Sequence, residues 1–411
     1  MTAAASTFHP EGGQWRMGRL LDRIVPSALP PSLRWAILFY LAHLVCLGWI
    51  ASSSIFLGLA VIAAALAFRR GHLQIPFSPL YFPLALFLAG STLSALFAPE
   101  PFRSLDEVGE WFSFLALPLA LALHHTYPRT ITLALRAFMV LAVIVCGSGL
   151  AQYFLLGYDS LDRRITGPAP HVMTLSGILL PLAILFLVLA VVERHRIWMV
   201  GAFLTSLTLS LTFTRSAWLG WLAGLLAVTL RARPRLLGFA LPLLLIIVTL
   251  SPLPFFGRLV STFDITQTSN LDRIRMVEAG MEMIRDRPLL GVGPSNVREI
   301  YPLYRAADAP RFQVPHLHNN IVQIWAERGF LPLAGYLLLV GFFITLCARV
   351  GGDAPREARE YADAGIGIAA GLAVAGVFEF NFGDTEVLLT MLNLFALCEA
   401  VIRGGRVKSE E

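Results

Sequence analysis

The chain has 411 residues, of which 56% are hydrophobic and 14% charged, with a formal net charge of +5. Soluble domains carry roughly 25% charged residues, so this balance excludes an ordinary water-soluble enzyme and points to an integral membrane protein. The small basic excess needs no nucleic acid as partner, because membrane topology accounts for it below.

Residues 1–33 hold Arg16, Arg19 and Arg23 but no apolar core. They read as a cytoplasmic N-terminal segment and not as a cleaved signal peptide, with the first span as an uncleaved targeting segment. Apolar runs then recur along the whole chain. They predict about twelve spans, at roughly 34–50, 53–68, 80–98, 110–125, 131–156, 171–192, 196–213, 216–231, 236–254, 330–349, 364–380 and 386–402. The expected architecture is an all-α integral membrane protein. Spans fill 34–254 and 330–402, one large outer loop with short helices occupies 255–329, and 403–411 is a cytoplasmic tail. Cys46, Cys146, Cys347 and Cys398 all sit in apolar runs without paired spacing, which predicts free thiols.

With the N-terminus inside, the inner segments hold 19 Lys and Arg residues against four in the short outer loops, Arg103, Arg163, Arg164 and Arg215. Basic residues accumulate on the cytoplasmic side, so both termini are expected there. The loop 255–329 then lies outside, where its length exempts it from the charge rule. Within it, Asn270 to Arg287 (NLDRIRMVEAGMEMIRDR) reads as a helix opened by a Ser269–Asp272 cap. Its apolar face holds Ile274, Val277, Met281 and Ile284, and Pro288 ends it. The turn LLGVGPSN follows. A second short helix is predicted from about His318 to Arg328, and Gly329 separates it from the tenth span.

The residues with chemistry lie on the outer side. His318 shares a helical face with Ile321, Val322 and Trp325, flanked by His316 and Asn319. One reading is a buried histidine held by a hydrogen bond; another is a His-x-His zinc site, for which His171 is the obvious further ligand. Arg215, in LTFTRSAWLG, occupies a tight outer turn. A charge at a span is costly and marks a functional position by default, the alternative being a snorkelling side chain. Arg163 and Arg164, in DRRITGPAPH, lie in a proline-stiffened or solvated loop before the sixth span. Arg273 and Arg285 border the apolar face of the loop helix, while Arg275 points away. Asp384 and Glu386, in NFGDTE, form an outer Asp-x-Glu, read as a polar cap with a divalent-metal pair as the alternative.

Arginine forks suit phosphate oxygens, and histidine suits general-base work near neutral pH. One histidine among several arginines therefore fits an enzyme that uses a lipid-linked diphosphate. The arginines hold the diphosphate and stabilise its charge on departure, and the histidine takes a proton from an attacking hydroxyl.

His318-Asn319, nine residues, then Gly329 resembles the His-Asn-x9-Gly signature of the bacterial O-antigen ligase superfamily. That superfamily also includes O-antigen polymerases and protein O-oligosaccharyltransferases. The run NLDRIRMVEAGMEMIRDRPLLGVGPSNV is similar to the family's stretch of Arg, helix, then Pro-Leu-hydrophobic-Gly-x-Gly. LTFTRSAW is similar to its Ser/Thr-x-Ser/Thr-Arg turn. The resemblance is specific over about 205–335 and topological elsewhere; it departs at Val277 and Pro332.

The resemblance implies a C-type glycosyltransferase-like membrane fold and an inverting transfer without metal or cofactor. His318 is then the base, and Arg215 and Arg273 hold the diphosphate. Arg163, Arg164, His316 and Asn319 are added as substrate-binding residues from their position. The implied enzyme is an O-antigen ligase of the bacterial inner membrane, embedded in membrane lipids with a periplasmic active site. It moves O-antigen polysaccharide from undecaprenyl diphosphate to lipid A–core oligosaccharide in lipopolysaccharide biosynthesis. A polymerase shares these motifs. So does a protein O-oligosaccharyltransferase, usually longer through a C-terminal outer domain. A transporter of lipid-linked sugar would instead need charges deep in its spans and paired half-structures. A scaffold in envelope assembly would have no need of His318.

Overall fold

The computed structural model describes residues 22, 24–231, 238 and 267–410, which are helical with no strand among them. In chain order the helices are α1 (Pro31–Val45), α2 (Ile50–Arg69), α3 (Tyr81–Leu96), α4 (Pro101–Asp106), α5 (Ala116–Thr126), α6 (Arg129–Leu156), α7 (Val172–Glu193), α8 (Arg196–Leu211) and α9 (Arg215–Arg231). After the undescribed stretch come α10 (Thr268–Asp286), α11 (Val297–Tyr304), α12 (Asn320–Arg328), α13 (Phe330–Ala348), α14 (Arg356–Gly376) and α15 (Thr385–Glu410). Each expected span coincides with a helix except the ninth, 236–254, which lies outside the described residues. The fourth begins as a 3₁₀ stretch, Glu107–Leu115, and becomes α-helical only at Ala116. The eleventh stops at Gly376, short of the expected residue 380.

Among the described residues, five helices are long and apolar enough to cross a membrane: α2, α6, α7, α13 and the Thr385–Gly404 part of α15. Shorter apolar helices, α1, α3, α8 and Trp111–Thr126, accompany them. The protein is thus a multi-pass membrane protein. All four cysteines are free.

α7 (VMTLSGILLPLAILFLVLAVVE) is apolar on every face. A helix of that kind has no side to give to water, and it is the most enclosed of the candidate spans. α8, α9, α14 and α15 pack around it. α9 and α14 meet through glycines. A Cβ on Gly220 would come within 2.5 Å of the Gly371 carbonyl oxygen, and one on Gly224 within 2.6 Å of that of Gly367. Small residues let helix backbones approach closely in membranes. This seam places the start of α9, Arg215, beside the end of α14, three residues before Glu379.

The segment from α10 to α12 has its own apolar core, built from Met276, Met283, Val292, Tyr301, Leu317 and Val322. Two expectations for α10 need correction. The helix starts at Thr268, and no side chain caps it at Gln267. Ser269 and Asp272, the expected capping pair, face arginines instead: Arg215 Nη2 donates to Ser269 Oγ at 3.2 Å, and Arg311 Nε lies 3.1 Å from Asp272 Oδ2. The packed face is Met276, Ala279, Gly280, Met283 and Ile284, while Ile274 and Met281 are exposed. The physical reason is Gly280: a Cβ there would collide with Val322, so the closest helix approach falls on small residues and turns Ile274 and Met281 outward.

Candidate functional site

α12 is short, and its position is set by what holds its two ends. At the C-terminal end Gly329 is left-handed (φ 84), and any Cβ there would strike the Leu289 carbonyl. The turn after Pro288 pairs with α12 by backbone: Val292 N–H donates to the Ala326 carbonyl at 2.9 Å and Gly293 N–H to that of Glu327 at 2.8 Å. The glycines of LLGVGPSN thus serve as a buttress against α12.

At the N-terminal end, Asn319 Oδ1 accepts from Val322 N–H at 2.9 Å, an ordinary N-cap. Its Nδ2 donates to the Val377 carbonyl at 2.9 Å. Asn320 reaches the same loop, donating to Asn381 Oδ1 at 2.7 Å and accepting from Phe382 N–H at 3.2 Å. The paired asparagines therefore clamp the segment after α14 onto α12. Substrate binding was expected of Asn319; in the structure its Oδ1 caps α12 and its Nδ2 holds the clamped segment.

His318 is not on the helix, contrary to the expected helical face. It precedes the cap and is left-handed (φ 50), a conformation uncommon outside glycine. That backbone aims its ring at the clamped segment. His318 Nδ1 lies 2.8 Å from Glu379 Oε1. Arg273 Nη2 lies 3.7 Å from Glu379 Oε2, an ion pair without hydrogen-bond contact. Burial opposes the charge on Glu379. The His318 hydrogen bond and the charges of His318, His316 and Arg273 outweigh it, and the carboxyl stays below its ordinary range. With the carboxylate accepting, the His318 proton sits on Nδ1 and the lone pair on Nε2.

His318 opens onto a cavity of about 190 Å³ that Arg164, Arg215, Arg273 and Arg311 also line. Thr214, Arg215 and Ser216 bring the N-terminus of α9 to its wall. The first N–H groups of a helix lack intrahelical partners and attract anions. Arg215 is buried, and its Nη2 donates to Asn270 Oδ1 at 2.8 Å, which fixes the guanidinium at this helix end. The arrangement offers a dense set of forked and backbone donors to an anion, with a carboxylate-oriented imidazole beside it.

The structure thus joins Arg164, Arg215, Arg273 and His318 in one cavity. Arg163 is not among its lining residues; its guanidinium stacks 4.2 Å over Tyr158. His316 stands behind His318, with ring centroids 4.2 Å apart. Burial, then the neighbouring His318, hold the His316 pKa down to about 4. Among the described residues, His316, His318 and Glu379 form one group with metal-ligand spacing, which does not include His171. Asp384 caps α15 through Val387 N–H at 3.3 Å and accepts from Thr174 Oγ1 at 2.5 Å, as the polar-cap reading has it.

The sequence reading missed two residues, Glu379 and Arg311. Glu379 lies in GVFEFNFGD, inside the expected eleventh span, where an acidic residue is itself a functional signal. Arg311, in APRFQVPH, gave no helical pattern to place it.

Residues 200–337 match the model of a family described as O-antigen ligase. The matched stretch includes Arg215, Arg273, His316, His318 and Asn319; it starts after Arg164 and ends before Glu379. No curated protein matches the chain.

Proposed function

We propose, from the premise that residues 200–337 are an O-antigen ligase family domain, that this protein is an O-antigen ligase. It transfers O-antigen polysaccharide from undecaprenyl diphosphate to lipid A–core oligosaccharide. The family carries the reaction class, glycosyl transfer. The observation that supports the assignment of residues is the His318–Glu379 pair opening onto the arginine-lined cavity. The proposed setting is the bacterial inner membrane, with about twelve spans, a C-type glycosyltransferase-like fold, both termini in the cytoplasm and the cavity facing the periplasm. The basic-residue asymmetry of the sequence supports that orientation.

In this reading Arg215, Arg273, Arg164 and the N-terminus of α9 hold the diphosphate. A core-sugar hydroxyl approaches from the side of His318. As its oxygen bonds to the anomeric carbon, its proton passes to His318 Nε2, and the carbon–oxygen bond to the diphosphate breaks. Attack opposite the leaving group inverts the anomeric centre. Negative charge grows on the leaving diphosphate, where fixed guanidinium groups stabilise it. Glu379 holds the ring and stabilises the imidazolium while it lasts, as a carboxylate does behind a catalytic histidine.

The test is a lipopolysaccharide gel of a deletion strain beside an assay for polymer on its lipid carrier. A ligase leaves bare core, with long O-chains stranded on undecaprenyl diphosphate. Core bearing a single O-unit would make the protein a polymerase. An unchanged ladder would move the acceptor away from lipopolysaccharide.

A further inference from the structure

His316 takes no part in the reaction above, yet it completes a donor set. Its Nδ1 lies 3.8 Å from Glu379 Oε1, the same oxygen that meets His318 Nδ1 at 2.8 Å. One ligand atom from each of His316, His318 and Glu379 lies within 4.8 Å of the other two. Two imidazoles and a carboxylate are a three-ligand set used by zinc. Bonds of about 2.0–2.2 Å place neighbouring tetrahedral donors roughly 3.3–3.6 Å apart. The observed separations bracket that spacing, so side-chain shifts of about 1 Å or less would close the site.

Lone pairs are at hand as well. His316 Nδ1 carries its lone pair, which accepts the His318 backbone N–H in a long bond of 3.4 Å that a cation would displace.

We propose that His316, His318 and Glu379 form a binding site for a divalent transition cation of the zinc class, and that the bound ion switches transfer off. Magnesium and calcium favour all-oxygen sets and do not suit two imidazoles. A cation on His318 Nδ1 takes the lone pair of the other tautomer, with the ring hydrogen moved from Nδ1 to Nε2. The imidazole stays neutral, but Nε2 then carries hydrogen and has no lone pair for the acceptor's proton. A water or the acceptor hydroxyl fills the fourth position. Arg273 and Arg311, both close by, oppose a second cation. This makes the ion an exchangeable inhibitor, bound more weakly than a structural zinc. The site stands on the three ligands alone; the switch rests on His318 acting through Nε2 as proposed above.

The experiment uses the purified full-length protein, titrated with Co²⁺ alone as an optical probe. One saturable set of visible bands is expected, displaced by Zn²⁺ and not by Mg²⁺. His316→Ala and Glu379→Gln should weaken binding by at least the roughly tenfold that loss of even an outer-shell partner costs. Zn²⁺ should also raise the melting temperature of the wild type and not of His316→Ala, a reading that exposes any misfolded variant. Absence of saturable binding, or equal affinity in wild type and both variants, would overturn the site. Zinc should inhibit transfer by the wild type, reversibly with chelator. His316→Ala should need at least about ten times more zinc for the same fractional loss of its own rate. If the ion binds the three ligands but transfer continues unchanged, the switch and the base role of His318 both fall, and the site remains.

Discussion

Two arginine-lined cavities lie at opposite ends of the same helices. α7 has Met173 in one and Glu193 in the other, and its 22 residues span about 33 Å. α9 begins with Arg215 in the first and ends with Arg231 in the second. The second cavity is much larger, about 1280 Å³, and Arg194, Arg231, Arg356 and Arg359 line it. By size and charge it is the better candidate for a large anion, yet Arg231 and Arg356 are committed to the fold. Arg231 pairs with Asp363 at 2.9 Å and donates to the Cys347 and Val350 carbonyls at 2.8 and 2.9 Å. Arg356 binds Glu360 and the Val192 carbonyl. Helix C-termini carry partial negative charge and unpaired carbonyls, and these two guanidinium groups satisfy carbonyls at the C-terminal ends of α13 (Cys347) and α7 (Val192). Arg215 does the reverse: it is buried at a helix N-terminus, where the dipole disfavours a cation. An arginine held against the dipole, beside a carboxylate-oriented histidine, suits an anionic ligand that neutralises both.

The sharpest break in that comparison is His318→Ala. Transfer from a purified lipid-linked donor should fall by about 10²–10⁴ or more, with the melting temperature retained. Normal turnover would remove the base from the small cavity. Glu379→Gln comes next. The amide keeps the shape but not the charge that steadies the imidazolium, and a loss of about a hundredfold or more in turnover is expected. An unchanged rate would reduce Glu379 to a packing residue.

One pair of substitutions compares the two cavities directly. Arg273→Lys should lower transfer by roughly tenfold or more, because lysine cannot make a forked phosphate contact. Arg231→Met should leave turnover per folded molecule as it was. It should cost on the order of 3 kcal/mol of stability, since buried Asp363 loses this ion pair. Equal transfer by Arg273→Lys and wild type would take Arg273 out of the donor site. A transfer defect without destabilisation in Arg231→Met would erase the distinction between the cavities.

The two regions were not equally legible in the sequence. Apart from the polar first turns of α14, which begins at Arg356 and not at 364, apolar runs located the described apolar helices to about five residues, because a bilayer demands long apolar segments whatever their partners. The Arg215 turn and the His-Asn pair were visible as motifs. What the sequence hid was the rotation of elements. Gly280, not Ile274 or Met281, set the face of α10. The left-handed backbone at His318 removed it from the helix that its spacing with Ile321, Val322 and Trp325 implied. Glu379 was concealed by its position at the end of an apolar run. Only the clamp by Asn319 and Asn320 shows that this run ends early and folds back onto His318.

Acidification should act on the cluster through stability. Burial, with His318 beside it, lowers His316 from 6.5 to about 4, so the folded state resists its protonation more than the unfolded chain does. Its contribution is complete above pH 6.5 and is lost as pH falls towards 4, at most roughly 3 kcal/mol. Glu379, also lowered, loses its contribution in the same direction as pH falls through its folded value. Melting temperature should therefore decline from pH 6.5 to 4, and His316→Gln should flatten the decline. An equally steep curve in that variant would assign the acid sensitivity elsewhere.

The smallest effect expected is that of a chelator, which should not slow transfer at all. Another pair with metal-binding chemistry among the described residues is Asp384 and Glu386. Asp384 already accepts the Thr174 hydroxyl with one oxygen and caps α15 with the other, so a cation would have to compete with both bonds. Chelation can then act only on the His316, His318 and Glu379 group, where removing an ion restores the lone pair on His318 Nε2 and raises the rate. A loss of activity restored by magnesium or manganese would reverse this. It would return Asp384 and Glu386 to the reaction and make the donor diphosphate a metal complex, with the arginine cavity as its second shell of charge rather than its principal holder.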